Sequence, residues 1–181
     1  MRKFIGVILF LVCIAAHDAG AQVNKQYFVW VGRDMVMDNR YREAIETLNI
    51  LLRADPDAYE GYFWRGIAKY NLDDLPGAER DFTLTLAKNP VYTNAYQFRA
   101  LTRSRSGDYE GAMEDFAEAI ELRPDYPAPY YSRGVTNLLA GRYREAVDDL
   151  DMYMRFNRRN ADAYANRGVA YLNLQDTVSA R

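Results

Sequence analysis

Side chains suited to covalent or metal chemistry are scarce in this sequence: there is one Cys and one His, Cys13 and His17, both near the N-terminus. A thiolate or imidazole can act as nucleophile, base or metal ligand only with partners at defined spacing, and neither residue has them. The other candidates are the adjacent carboxylates Asp73-Asp74 and Asp148-Asp149. General acid and base work needs two carboxyl groups facing one another across a substrate, whereas neighbours on a helix point in different directions. A turn or a solvated face is therefore the expected place for both pairs. No Gly-rich phosphate loop, metal-ligand spacing or serine elbow occurs. These residues imply a non-catalytic protein that uses no cofactor and no metal.

Charge narrows the partners further. Lys and Arg total 23 against 25 Asp and Glu, a formal net charge of -2, so the positive field that nucleic acid binding draws on is missing. The first segment has a separate logic. Arg2 and Lys3 precede an apolar run from Phe4 to Ala16, and Ala19-Gly20-Ala21 places small residues ahead of Gln22. This is the pattern of a secretory signal peptide spanning residues 1–21. A membrane anchor is the weaker reading, since a spanning helix needs about 20 apolar residues. Cleavage before Gln22 would remove the sole Cys and the sole His and leave no segment to insert in a membrane. Stability would then rest on packing, without disulfides.

The elements that remain are set by an internal repeat. Pro56, Pro90 and Pro124 stand 34 residues apart, and that period divides the chain into units 25–58, 59–92, 93–126 and 127–160, with a fifth beginning at Ala161. Numbering each unit from 1, position 8 is small (Gly32, Gly66, Ala100, Gly134, Gly168) and position 20 is always Ala (Ala44, Ala78, Ala112, Ala146, Ala180). Position 4 is aromatic throughout, from Phe28 to Tyr164, and position 24 is large and apolar (Leu48, Phe82, Phe116, Leu150). The apolar spacing predicts two helices per unit, helix A over positions 2–14 and helix B over 18–30, with turns such as Ser106-Gly107-Asp108 between them. One hairpin cannot bury its own apolar face, so the units must stack into an all-α solenoid.

The stretch Tyr96 to Pro124, with its aromatic, Gly-Asp-Tyr, Ala, Phe, Ala-Ile and closing Pro, resembles the tetratricopeptide repeat, and the resemblance extends over residues 25–181. Repeat 4 departs from the pattern with Arg158 in place of the proline, and repeat 1 with Val31 where later repeats carry Arg65, Arg99, Arg133 and Arg167. Position 23 departs in step: Thr47, then Asp81, Asp115 and Asp149. Arg–Asp ion pairs between helices A and B of one repeat are expected, with pairing to a neighbouring repeat as the alternative.

The resemblance implies that function lies on the concave face lined by helix A, where similar proteins bind extended peptides or partner helices. The face bears Trp30, Trp64 and Phe98 at position 6, Arg33, Ile67 and Leu101 at position 9, and Phe63 and Tyr131 at position 5. It is either an apolar groove that anchors a peptide or the packed inner seam of the array. The Lys and Asn clamp of family members that hold chaperone tails has no counterpart among Val29, Arg33, Trp64, Asn94 and Phe98. Two functions follow as expectations: an exported scaffold holding a protein or peptide partner through apolar anchors, in the periplasm, the cell envelope or outside a bacterium, or a spacer array presenting a domain that follows Arg181. The fifth unit, 161–181, reads as interrupted at the opening of its helix B.

Overall fold

The structure, a computed structural model, describes residues 24–179; the signal segment 1–21 and Ala180 lie outside them. Among the described residues are nine helices and no strand. The A helices are α1 (Lys25–Met37), α3 (Tyr59–Asn71), α5 (Thr93–Arg105), α7 (Ala128–Leu139) and α9 (Ala161–Ser179), and the B helices are α2 (Tyr41–Ala54), α4 (Leu75–Lys88), α6 (Tyr109–Leu122) and α8 (Tyr143–Phe156). The first four A helices each pack on the B helix that follows and on their neighbours in the stack, and α9 packs on α8 and α7. Successive A helices touch, whereas successive B helices do not. The array therefore bends with the A helices on its inner side.

Close helix approach follows from the small residues. A Cβ added at Gly32 would lie 2.5 Å from Leu48, one at Gly66 2.7 Å from Phe82, and one at Gly134 3.0 Å from Leu150. These three position-8 glycines thus admit the large position-24 side chain of their own repeat, and Leu48, Phe82, Phe116 and Leu150 are fully buried. The position-4 tyrosines reach backward. The hydroxyls of Tyr62 and Tyr130 donate to the carbonyls of Pro56 and Pro124 at 3.2 Å, and that of Tyr164 donates to Arg158 at 3.0 Å. Because the acceptor is a carbonyl, Arg158 performs this task as well as the prolines do.

Turns between A and B helices require a left-handed residue at position 15. It is supplied by Asn39 (φ 59°), Asp73 (φ 66°), Gly107 (φ 86°) and Gly141 (φ 74°). The carboxylates of Asp74 and Asp108 then accept from the amides of Gly77 and Gly111 at 3.0 Å, capping α4 and α6. In the fifth unit the sequence pattern predicts a helix ending near 174 and a new one near 178, yet α9 runs unbroken from Ala161 to Ser179. Position 15 is there Gln175, which favours continued right-handed helix over the left-handed turn. Among the described residues no second helix folds back, and an added Cβ at Gly168 would meet nothing within 4 Å.

Candidate functional site

The inner face is built by positions 2, 6, 9 and 13 of the A helices, which recur on one side of each helix. Position 5 adds Phe63 and Tyr131 beside it, and the eight sequence-predicted residues fall into three groups. Trp30 is 56% exposed and Arg33 is exposed, its guanidinium held by the adjacent Asp34 at 3.1 Å. Trp64, Phe98, Leu101 and Tyr131 are half-buried, and Phe63 and Ile67 are buried. The stripe is exposed at Trp30 and Arg33 and packed further along.

Aromatic geometry explains the difference. Phe63 stands edge-on to Trp64 at 5.3 Å, to Phe98 at 5.7 Å and to Tyr92 at 5.0 Å, and Phe98 lies 6.0 Å from Phe82. This cluster ties repeat 2 to repeat 3, and such ring pairs add stability beyond the area they bury. Burial, chiefly, pushes the Tyr92 phenol up to about 12, so it stays neutral in the cluster. Leu101 packs against Ala100, Ala112 and Phe116. Tyr131 lies 4.9 Å from Tyr153 and accepts from the Asn166 amide at 3.2 Å; burial raises its pKa as well. Two apolar side chains on the same face, not among the predicted residues, are exposed by a larger fraction than Trp30: Met37, 70% exposed, and Leu139, 63% exposed. Both occupy position 13, a row in which Asn71 and Arg105 stand between them and blur the apolar signal.

The carboxylate pairs have structural roles. Asp73 forms an ion pair with Arg105 at 3.1 Å and Asp74 caps α4. Asp148 is exposed, whereas Asp149 is buried against Arg133 rather than solvated. The expected Arg–Asp pairs form within repeats: Arg65 to Asp81 at 2.8 and 2.7 Å, Arg99 to Asp115 at 2.9 and 2.7 Å, and Arg133 to Asp149 at 2.9 and 2.6 Å. Ion pairing to a neighbouring repeat, the alternative, occurs at Arg167 with Asp151 at 2.5 Å, while Arg65 and Arg99 reach back only to the neutral Asn49 at 2.6 Å and Thr83 at 3.1 Å. Among the described residues no group of His, Cys, Asp and Glu is arranged to hold a metal ion, and no helix is long and apolar enough to cross a membrane.

Family comparison agrees with this geometry. A tetratricopeptide-repeat family model matches residues 35–92 and a TPR-repeat model matches residues 105–141, together just over half of the sequence. The chain belongs to the tetratricopeptide-repeat family. Similar solved structures include the MamA protein, at TM-score 0.75 and 18% identity, with 83% of this chain and 82% of that one covered. A thermophilic TPR protein of Thermus thermophilus, TTC0263, gives TM-score 0.69 at 19% identity, covering 83% and 82%. A tetratricopeptide repeat protein of Parabacteroides merdae gives TM-score 0.75 at 18% identity, covering 93% of this chain and 66% of that one. At these identities the likeness shows the fold. No curated protein matches in sequence. The TPR fold is an interaction module, and the chain is accordingly a protein–protein interaction scaffold.

Proposed function

We propose that this TPR protein is exported, is not an enzyme, and holds a peptide or partner segment on the inner face of repeats 1 and 2, with Trp30 as the principal anchor. The observation that carries the reading is the exposure of Trp30 on a face whose other aromatics are consumed by packing. Met37 lies two turns along the same helix, so α1 offers two apolar side chains in one row with Arg33 between them. Large aromatic anchors of this kind dominate interface energetics. Phe63 and Ile67, being buried, support the face from beneath, while Trp64, Phe98, Leu101 and Tyr131 offer only their half-exposed edges. Export rests on the signal pattern of residues 1–21.

The test is site-directed photo-crosslinking in bacterial cells expressing the full chain. A photoreactive residue in place of Trp30 is expected to give a discrete partner adduct, and one in place of the exposed Arg80 on helix B none. Trp30→Ala should weaken the interaction without changing far-UV circular dichroism. Equal crosslinking from both sites would exclude the groove. N-terminal sequencing of protein from the envelope fraction should read from Gln22; recovery of the intact Met1 end in the cytoplasm would exclude export.

A further inference from the structure

The four junctions between repeats are not equivalent. Position 5 of each repeat packs toward position 6 of the next: Val29 belongs to the cluster that takes Trp64, Phe63 meets Phe98, and Tyr131 meets Asn166. At the third junction these places hold Gln97 and Ser132, and the Gln97 Oε1 is buried with no hydrogen-bond partner. The buried apolar clusters divide at the same point. One runs from Met35 to Ala95 across the first two junctions, a separate one joins α5 to α6 through Ala100, Ala112 and Phe116, and two others join α8 to α9 through Ala146 with Ala170 and Met154 with Ala163. Among the described residues none of these clusters crosses from α5 or α6 to α7 or α8.

Polar bonding repeats the contrast. The position-7 arginine reaches sixteen residues back to Asn49, Thr83 and Asp151 at the first, second and fourth junctions. At the third, the residue sixteen before Arg133 is Ala117, whose side chain has no acceptor. Arg103 spans the second junction to Glu79 at 2.8 Å, while the equivalent residues at the third are Asn137 and Met113. What bridges the junction is a buried hydroxyl pair, Ser104 to Thr136 at 3.0 Å, and the exposed ion pair of Arg142 with Glu110.

We infer that the array consists of two stiff blocks, residues 25–122 and 128–174, joined by a compliant third junction that sets the curvature of the inner face. In a repeat protein the coupling between units is the sum of such nearest-neighbour terms, so one weak junction divides the cooperative unit. The inference stands on packing alone and holds whether or not the groove binds a peptide.

Hydrogen exchange of the full chain, followed by mass spectrometry, tests it. Amides of 128–156 are expected to exchange roughly tenfold or more faster than those of 59–105, with the step at 123–127. Ala117 is exposed, so Ala117→Asn should fold and restore the acceptor of the first junction. It should slow exchange across 128–156 about threefold or more and leave 59–105 unchanged. Glu110→Gln should have the opposite effect on 128–156. A smooth gradient toward the C-terminus, or an Ala117→Asn protein whose 128–156 segment exchanges like the wild type, would overturn the two-block reading. If Ala117→Asn fails to fold, Ala117→Asp, with Asp151 as its precedent, is read against the same outcomes.

Discussion

Arg99 holds Asp115 through two parallel hydrogen bonds of 2.9 and 2.7 Å, and Asp115 is almost wholly buried between helices α5 and α6. Arg103 adds a third contact at 3.1 Å. Asp115 therefore neutralises two guanidiniums at once, each itself largely shielded from water. Asp115→Asn keeps the shape and removes the charge. Arg103 keeps its ion pair with Glu79, but the shielded Arg99 loses its carboxylate; leaving that cation uncompensated costs about 3 kcal/mol, so urea denaturation should show a loss near that size. Partner binding through Trp30 should be unchanged; loss of binding with normal stability would refute the structural role.

The equivalent Asp149 adds a dependence on pH. Burial is the largest influence and pushes its carboxyl above the ordinary range, outweighing Arg133 and Asn137, which pull it down. A raised native pKa means that the folded chain binds a proton at a pH where the unfolded chain has lost it. The stability contributed by this group therefore falls as pH rises from about 3.9, the unfolded value, through the native pKa, and is constant above it. Unfolding free energies of wild type and Asp149→Asn, taken across this interval, should diverge in that sense: wild type loses stability relative to the variant as pH rises. A parallel pair of curves would show that Asp149 titrates normally.

Position 8 separates packing from propensity. Phe82 lies where a Cβ on Gly66 would fall, and Phe63 and Phe98 hold its ring in place. Gly66→Ala should cost roughly 1–3 kcal/mol through overpacking. Gly168→Ala meets nothing and should gain about 1 kcal/mol from helix propensity. Thermal denaturation of the two variants should move in opposite directions, and a shared direction would mean that the glycine–Phe82 approach is not the cause.

Much of this was legible in the sequence because repeats average away local noise. The Arg–Asp pairs could be anticipated because position 7 and position 23 change type together, at Val31 and Thr47. Exposure of the inner stripe could not, because it depends on how far one repeat rotates against the next. Phe98 and Trp30 occupy the same repeat position, yet one is half-buried against Phe63 and Phe82 while the other projects from α1. Nor does the period alone reveal that a turn needs one particular backbone conformation, which is why the course of α9 departs from the expected hairpin.

That conformation can be tested at a single residue. Asn39, Asp73, Gly107 and Gly141 all adopt positive φ at position 15, and residues of these types tolerate the left-handed region where others are strained. Gln175 is exposed, so its side chain lies outside the core. Gln175→Gly removes the conformational penalty and weakens the continuing helix by about 1 kcal/mol, both of which favour a turn. The expected product is a helix ending near 174 with a positive φ at 175, read from backbone chemical shifts and the three-bond HN–Hα coupling. Gln175→Ala should keep α9 continuous to Ser179. Helical shifts persisting through 176–179 in the glycine variant would mean that something other than position 15 holds α9 straight.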